Sequence, residues 1–171
     1  MTSSGSDAHR GEVESAGQLP GGLERHLDGS NLPARAGQAF RLTTVDADGW
    51  PRGAQLSAGE VLSVGPGALM LCLWSSTATA GNLRRNGRCT LTAVLEGAVH
   101  EVRLHAAPVR APAAGETHAI FRARVESAEA HRAKYAEVTS GVTFRLDDPD
   151  AVLGRWHAQV EAMRLAADEN P

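Results

Sequence analysis

The stretch Leu71–Leu83, LCLWSSTATAGNL, constrains this chain more than any other. An apolar run stops abruptly at Ser75-Ser76-Thr77-Ala78-Thr79-Ala80, and Gly81-Asn82-Leu83 then leads into the basic pair Arg84-Arg85. This pattern predicts a strand that runs straight into a helix N-terminus. The first backbone N–H groups of a helix have no intrahelical acceptor. With the helix dipole and nearby hydroxyls they form a seat for an anion, above all a phosphate. The same hydroxyls also suit plain helix capping, with Ser76 or Thr77 accepting from the first turn.

A chain of 171 residues is long enough for one well-cored domain and short for two. Asp and Glu total 20 against 17 Lys and Arg, and the two signs are interleaved. The basic stripe that marks a nucleic-acid binder is therefore missing, and no nucleic-acid partner is expected. No apolar run approaches the ~20 residues that span a bilayer, and the first residues contain no hydrophobic core of a secretory signal, so a cytoplasmic protein without a membrane partner is expected. Cys72 and Cys89 sit in apolar or β-prone runs without a Cys-x-x-C or Cys/His spacing. They are expected to be reduced, buried thiols, with no metal site.

Residues 1–18 are Ser, Gly and charged residues without periodicity and are expected to form a flexible tail, leaving 19–171 as the single domain. Pro20 to Leu27 suits a short helix that covers a barrel end or a partner subunit. From Ala39 the period becomes two. Strands are expected at Ala39 to Val45, Arg52 to Val64, Ala68 to Trp74, Cys89 to Leu95, Val99 to Val109 and Val142 to Leu146, mostly in meander order. A short helix from Thr77 to Asn86 follows the third strand, with Gly87 placed to terminate it. Glu116 to Val138 suits a helix in one or two pieces. Asp148-Pro149-Asp150 starts another, with an N-cap, a first-turn proline and an acid at the positive end of the dipole. Along that helix Val152, Trp156, Val160 and Met163 recur at helical spacing, for packing on the barrel or across a dimer. The fold class expected is mainly β (α+β): a six-stranded antiparallel split β-barrel with a short helix after strand 3 and helices packed outside.

The order of these elements carries a resemblance. FRLTTVDADGWPRGAQLS, a strand pair ending in LW, the Ser/Thr-rich turn, NLRRN and a Thr-bearing strand resemble the pyridoxamine 5′-phosphate oxidase-like family of FMN-binding split barrels. The resemblance covers Ala39 to Val109, and YAEVTSGVTFRL (Tyr135 to Leu146) looks like the continuation in a bacterial branch of that family. It implies a homodimer holding FMN in a cleft between subunits. By position, the flavin ring would lie beside Gln55, Leu56, Ser57 and Ala58 and the end of the third strand at Cys72, Leu73 and Trp74. The phosphate would sit at Ser76, Thr77 and Thr79, with Asn82 and Arg84 close by. The sequence departs from the family at the turn. The arginine or lysine usual there is replaced by Thr77-Ala78-Thr79, and Ala54 stands where the vitamin-processing oxidases carry arginine. Hence no pyridoxamine phosphate reaction is assigned. Two readings follow from the resemblance: an FMN-dependent oxidoreductase of unassigned substrate, and a non-enzymatic split-barrel dimer that has lost FMN or binds another small flat ligand.

No catalytic residue is identified, because neither a Ser-His-Asp arrangement nor a pair of carboxylates is legible. His100 and His105 fall on opposite faces of one strand and suit surface or interface positions. His131 and Tyr135 would share a face if their segment were helical. Asn82 suits a structural tie between the helix start and a neighbouring strand.

Overall fold

The computed structural model describes residues 12–14 and 16–170. Its centre is a curled antiparallel sheet of seven strands. They are β2 (Phe40–Val45), β3 (Pro51–Leu56), β4 (Val61–Ser63), β5 (Ala68–Trp74), β6 (Arg88–Leu95), β7 (Ala98–Pro108) and β8 (His118–His131). A short strand, β1 (Glu12–Glu14), adds to β8. Three α-helices, α1 (Gly21–His26), α2 (Ala78–Asn86) and α3 (Pro149–Glu169), and two short 3-10 helices, Leu32–Arg35 and Pro112–Ala114, accompany the sheet.

The strand order is β3-β2-β6-β7-β8-β5-β4, so the two edge strands, β3 and β4, are neighbours in sequence. Only residues 57–60 join them. Such a link spans at most about 18 Å. In a flat sheet, six inter-strand spacings would separate the same two edges by about 29 Å. The sheet must therefore curl until its edges nearly meet, which makes a split barrel. The link is a tight turn in which Glu60 Oε2 accepts from the Ser57 backbone N–H at 2.7 Å and from Ser57 Oγ at 2.8 Å. The Cys72 N–H donates to the Glu60 carbonyl at 2.9 Å, which fastens the link to β5.

Alternation decides which side chains fill the barrel. Phe40, Leu42 and Thr44 on β2, Cys89, Leu91 and Ala93 on β6, and Ala98, His100, Val102, Leu104 and Ala106 on β7 are all buried. Arg41, Arg88, Glu101, Arg103 and His105, one residue out of phase, are exposed. The helix α1 contributes Leu23, and its C-cap Leu27, to the same core. The helix α3 is capped by Asp148, whose side chain accepts from Ala151 N–H at 3.2 Å. Its stripe of Trp156, Val160 and Met163 is buried, with Val152 packed against the core beside it. This resolves the choice left by the sequence, since the stripe packs on the chain's own barrel. Trp156 lies directly on the link, where a Cβ built on Gly59 would fall 2.3 Å from Trp156 Cγ.

Several expectations are corrected. The sheet has seven strands, not six, and the mostly meander order is broken twice, where β2 pairs with β6 and β5 with β8. The stretch from Arg52 to Val64 is two strands, because the Ser57–Glu60 turn carries the chain from one edge to the other. The segment 118–131 is a strand and not part of a helix. It pairs with β5, β7 and β1, and those neighbours outweigh the helix propensity of its Ala, Arg and Glu residues. Val142 to Leu146 is not a strand. It makes one isolated bridge, Gln38 to Thr143, and leaves Val142 and Phe144 exposed. His131 thus ends a strand, and Tyr135 lies exposed beyond it, so they share no helix face. His100 is buried inside the barrel instead of lying at the surface. The expected flexible tail, residues 1–18, falls largely outside the described residues. Within it Glu12–Glu14 pairs with Ala128–Ala130, where β5 has ended and β8 offers free backbone groups. No helix among the described residues is long and apolar enough to cross a membrane.

Two outcomes test this packing. Trp156→Ala removes the side chain that seats α3 on the link and is expected to cost about 3–5 kcal/mol in urea unfolding, with an unchanged denaturant slope. Both cysteines are free and buried. Burial, with the nearby Glu60 charge as a second cause, pushes the Cys72 thiol up to about 11, and burial alone pushes Cys89 up to about 12. Since the thiolate is the reactive species, neither cysteine should react with a thiol-specific disulfide reagent at pH 8 until denaturant is added, when both should react.

Candidate functional site at the β5–α2 junction

The expected strand-to-helix junction forms as the sequence directs. The strand β5 ends at Trp74, and Thr77 is the N-cap of α2, its side chain accepting from Ala80 N–H at 3.3 Å. Thr77 Oγ1 also donates to the Trp74 carbonyl at 2.8 Å, which closes the turn. At the other end Gly87 adopts a left-handed conformation, with φ of 70°, and its N–H donates to the Leu83 carbonyl.

The basic pair in the last turn of α2 divides its work. Arg85 donates to Asn82 Oδ1 at 3.1 Å and to the Val45 carbonyl. Asn82 is buried and donates to Thr44 Oγ1 at 2.9 Å. Asn82 and Arg85 therefore tie α2 to β2. Arg84 turns the other way. Its Nη1 donates to the Ser75 carbonyl at 2.9 Å, and its guanidinium lies 5.9 Å from the centre of the Phe121 ring. A permanent positive charge is thus folded back onto the turn that has no cation of its own.

The expected site residues fall into two groups. Gln55, Trp74, Ser76, Thr77 and Arg84 are exposed. Leu56, Ala58, Leu73, Thr79 and Asn82 are buried, so they shape the site from beneath. Ser57 is half-buried and held by Glu60. The link 57–60 is fastened beside the end of β5 through Cys72, and α2 packs on β2, β3 and β5.

Sequence reasoning missed His118. It pairs with Trp74 across β5 and β8, and the two rings stack with centroids 4.4 Å apart at 34°. His118 Nδ1 is 3.0 Å from Thr117 Oγ1, while Nε2 is buried and has no hydrogen-bond partner. Trp74 remains 46% exposed, so its ring offers an outward, prepositioned aromatic face. Reading 116–138 as helix hid this pair, which only the strand register brings together. Chemically, the junction offers an aromatic platform, hydroxyls and backbone donors at a helix N-terminus, and one guanidinium.

The chain is similar to the uncharacterized protein YclD of Bacillus subtilis (strain 168), with 38% identity over 139 residues, or 81% of this chain and 90% of that one. No family model matches it. Among solved structures it is similar to a candidate pyridoxamine 5′-phosphate oxidase of Lactobacillus delbrueckii, with a TM-score of 0.52 at 17% identity over 68% of this chain and 97% of the other. It is also similar to HupZ of group A Streptococcus, with a TM-score of 0.51 at 16% identity over 74% of this chain and 100% of the other. These structures share its fold. By its similarity to YclD across most of both chains, the protein belongs to the YclD family, and its fold is the split barrel of the pyridoxamine 5′-phosphate oxidase-like proteins.

Proposed function

We infer that the protein is an FMN-binding oxidoreductase that works as a homodimer, with the flavin at the β5–α2 junction. The observation that carries this reading is Arg84. The turn lacks the usual arginine or lysine, yet Arg84 Nη1 reaches back to the Ser75 carbonyl at 2.9 Å. A guanidinium has five N–H donors in a planar fork, so most of its capacity is left for a phosphate seated on the first turn of α2.

The residues present fit a flavin nucleotide. Trp74 supplies a flat apolar face of the kind an isoalloxazine stacks on, and the His118 ring stacked against it helps hold the indole in place. Thr77 and the N–H groups of α2 suit the phosphate. Bound FMN would supply the electron-transfer chemistry, while the chain binds and orients it and excludes water. The exposed Trp74 face calls for a second wall, which a partner subunit would provide. Two free, buried cysteines fit a reducing compartment, and we place the protein in the cytoplasm.

A second reading, a split-barrel dimer without FMN, draws on the replacement of the usual cation by Ala78 and Thr79, the latter buried. The absorption spectrum of the purified protein separates the two. The first reading expects a flavin spectrum, or a rise in melting temperature when FMN is added to colourless protein. It also expects Arg84→Gln to weaken FMN binding about tenfold, or ~1.4 kcal/mol, without lowering the stability of the ligand-free protein. A colourless protein whose melting temperature FMN does not move supports the second.

A further inference from the structure

A different part of the molecule carries a second cluster of anion-binding chemistry. On the outer face of the sheet, Thr43 of β2 is paired with Thr90 of β6, and Thr90 with Arg103 of β7. One step along the same face, Arg88 of β6 is paired with His105 of β7. All five side chains line a basin of about 450 Å³. The two threonines are half-buried and form its floor, while Arg88, Arg103 and His105 are exposed and rise as its walls. The position of His105 is set by Gly87, since a Cβ there would lie 3.0 Å from His105 Cε1 and 2.6 Å from the Ala106 carbonyl oxygen. The ring is thus held against the C-terminal end of α2.

The charge in the basin is unbalanced. Its only acidic lining residue is Glu126, which stands out of register at the bulge opposite Arg103 and Leu104. Glu126 Oε1 is 2.5 Å from Arg124 Nη2, so its charge is already matched. Neither Arg88 nor Arg103 has an acidic partner among the described residues. Two guanidinium forks and two hydroxyls line the one basin and between them offer several donors. That suits a tetrahedral oxyanion with acceptors on every side, where a single planar carboxylate would leave donors unused.

We propose that this basin is a binding site for a phosphate or diphosphate group, separate from the β5–α2 junction. The site is independent of whether the junction holds FMN. Its ligand class is a phosphorylated small molecule whose anionic group sits on Thr43 and Thr90 and is clamped by Arg88 and Arg103. Because the clamp is exposed, its affinity falls as salt rises.

Calorimetric titration with sodium pyrophosphate at low ionic strength, in chloride-matched buffer, tests the site directly. The wild-type protein is expected to bind pyrophosphate. Arg88→Gln and Arg103→Gln should each weaken it tenfold or more, and Arg155→Gln on the exposed side of α3, outside both sites, should leave it unchanged. Melting temperature and sedimentation identify variants that keep the wild-type fold and oligomeric state, and Arg103→Lys provides a milder change in which partial binding should survive. FMN titrated into Arg103→Gln should behave as with wild type, which separates a failure of this site from a failure of the flavin reading. Absence of pyrophosphate binding, equal binding by wild type, Arg88→Gln and Arg103→Gln, or an equal loss on Arg155→Gln would each overturn the proposal.

Discussion

Everything in this molecule depends on the four residues between β3 and β4. They join strands that lie at opposite edges of a seven-stranded sheet, and their short reach leaves curling as the only solution. The rest of the architecture follows. Curling creates an inside, which the alternating residues of β2, β6 and β7 fill. It also creates a split, which α3 covers with Trp156. Gly59 is required at that point because the indole occupies the space where any side chain would begin. The same closure sets the link beside the end of β5 and so assembles the candidate site.

The site shows how far a local motif depends on distant anchoring. Capping by Thr77 is written into the turn itself. The direction in which α2 leaves the sheet is not, and it is fixed by the buried contact of Asn82 with Thr44, thirty-eight residues away. Arg85 reinforces that contact and is thereby committed to structure. Its neighbour Arg84 is left to supply charge to the turn. Two adjacent arginines with the same helix propensity thus acquire different roles from the elements they face.

Legibility in the sequence followed the range of the interaction. The junction, the β2–β3 hairpin, α3 and its stripe rest on contacts a few residues apart, and they could be read directly. The strand β8 could not. Its alanines, arginines and glutamates favour a helix locally, and the bulge at Glu126 shifts its buried positions from Phe121, Ala123 and Val125 to Ala128 and Ala130, which breaks the period-two signal. The error then spread to His118, whose meeting with Trp74 exists only in the strand pairing. Val142 to Leu146 failed in the opposite way. It alternates like a strand, but a strand also needs a neighbour along its length, and only the short stretch Gly37–Ala39 meets it, through a single bridge at Gln38.

The position of β8 also governs when this barrel can come into being. It is the last strand in the chain, yet it sits in the middle of the sheet, between β7 and β5. Before it is made, the chain holds two fragments, β3-β2-β6-β7 and β5-β4, tethered by the link but with no strand to join them. During synthesis each fragment exposes the edge that β8 will cover, so the nascent chain carries two open edges until residue 131 has left the ribosome. Closure is then a long-range event with a high entropic cost, and it makes this a barrel that completes itself late and all at once.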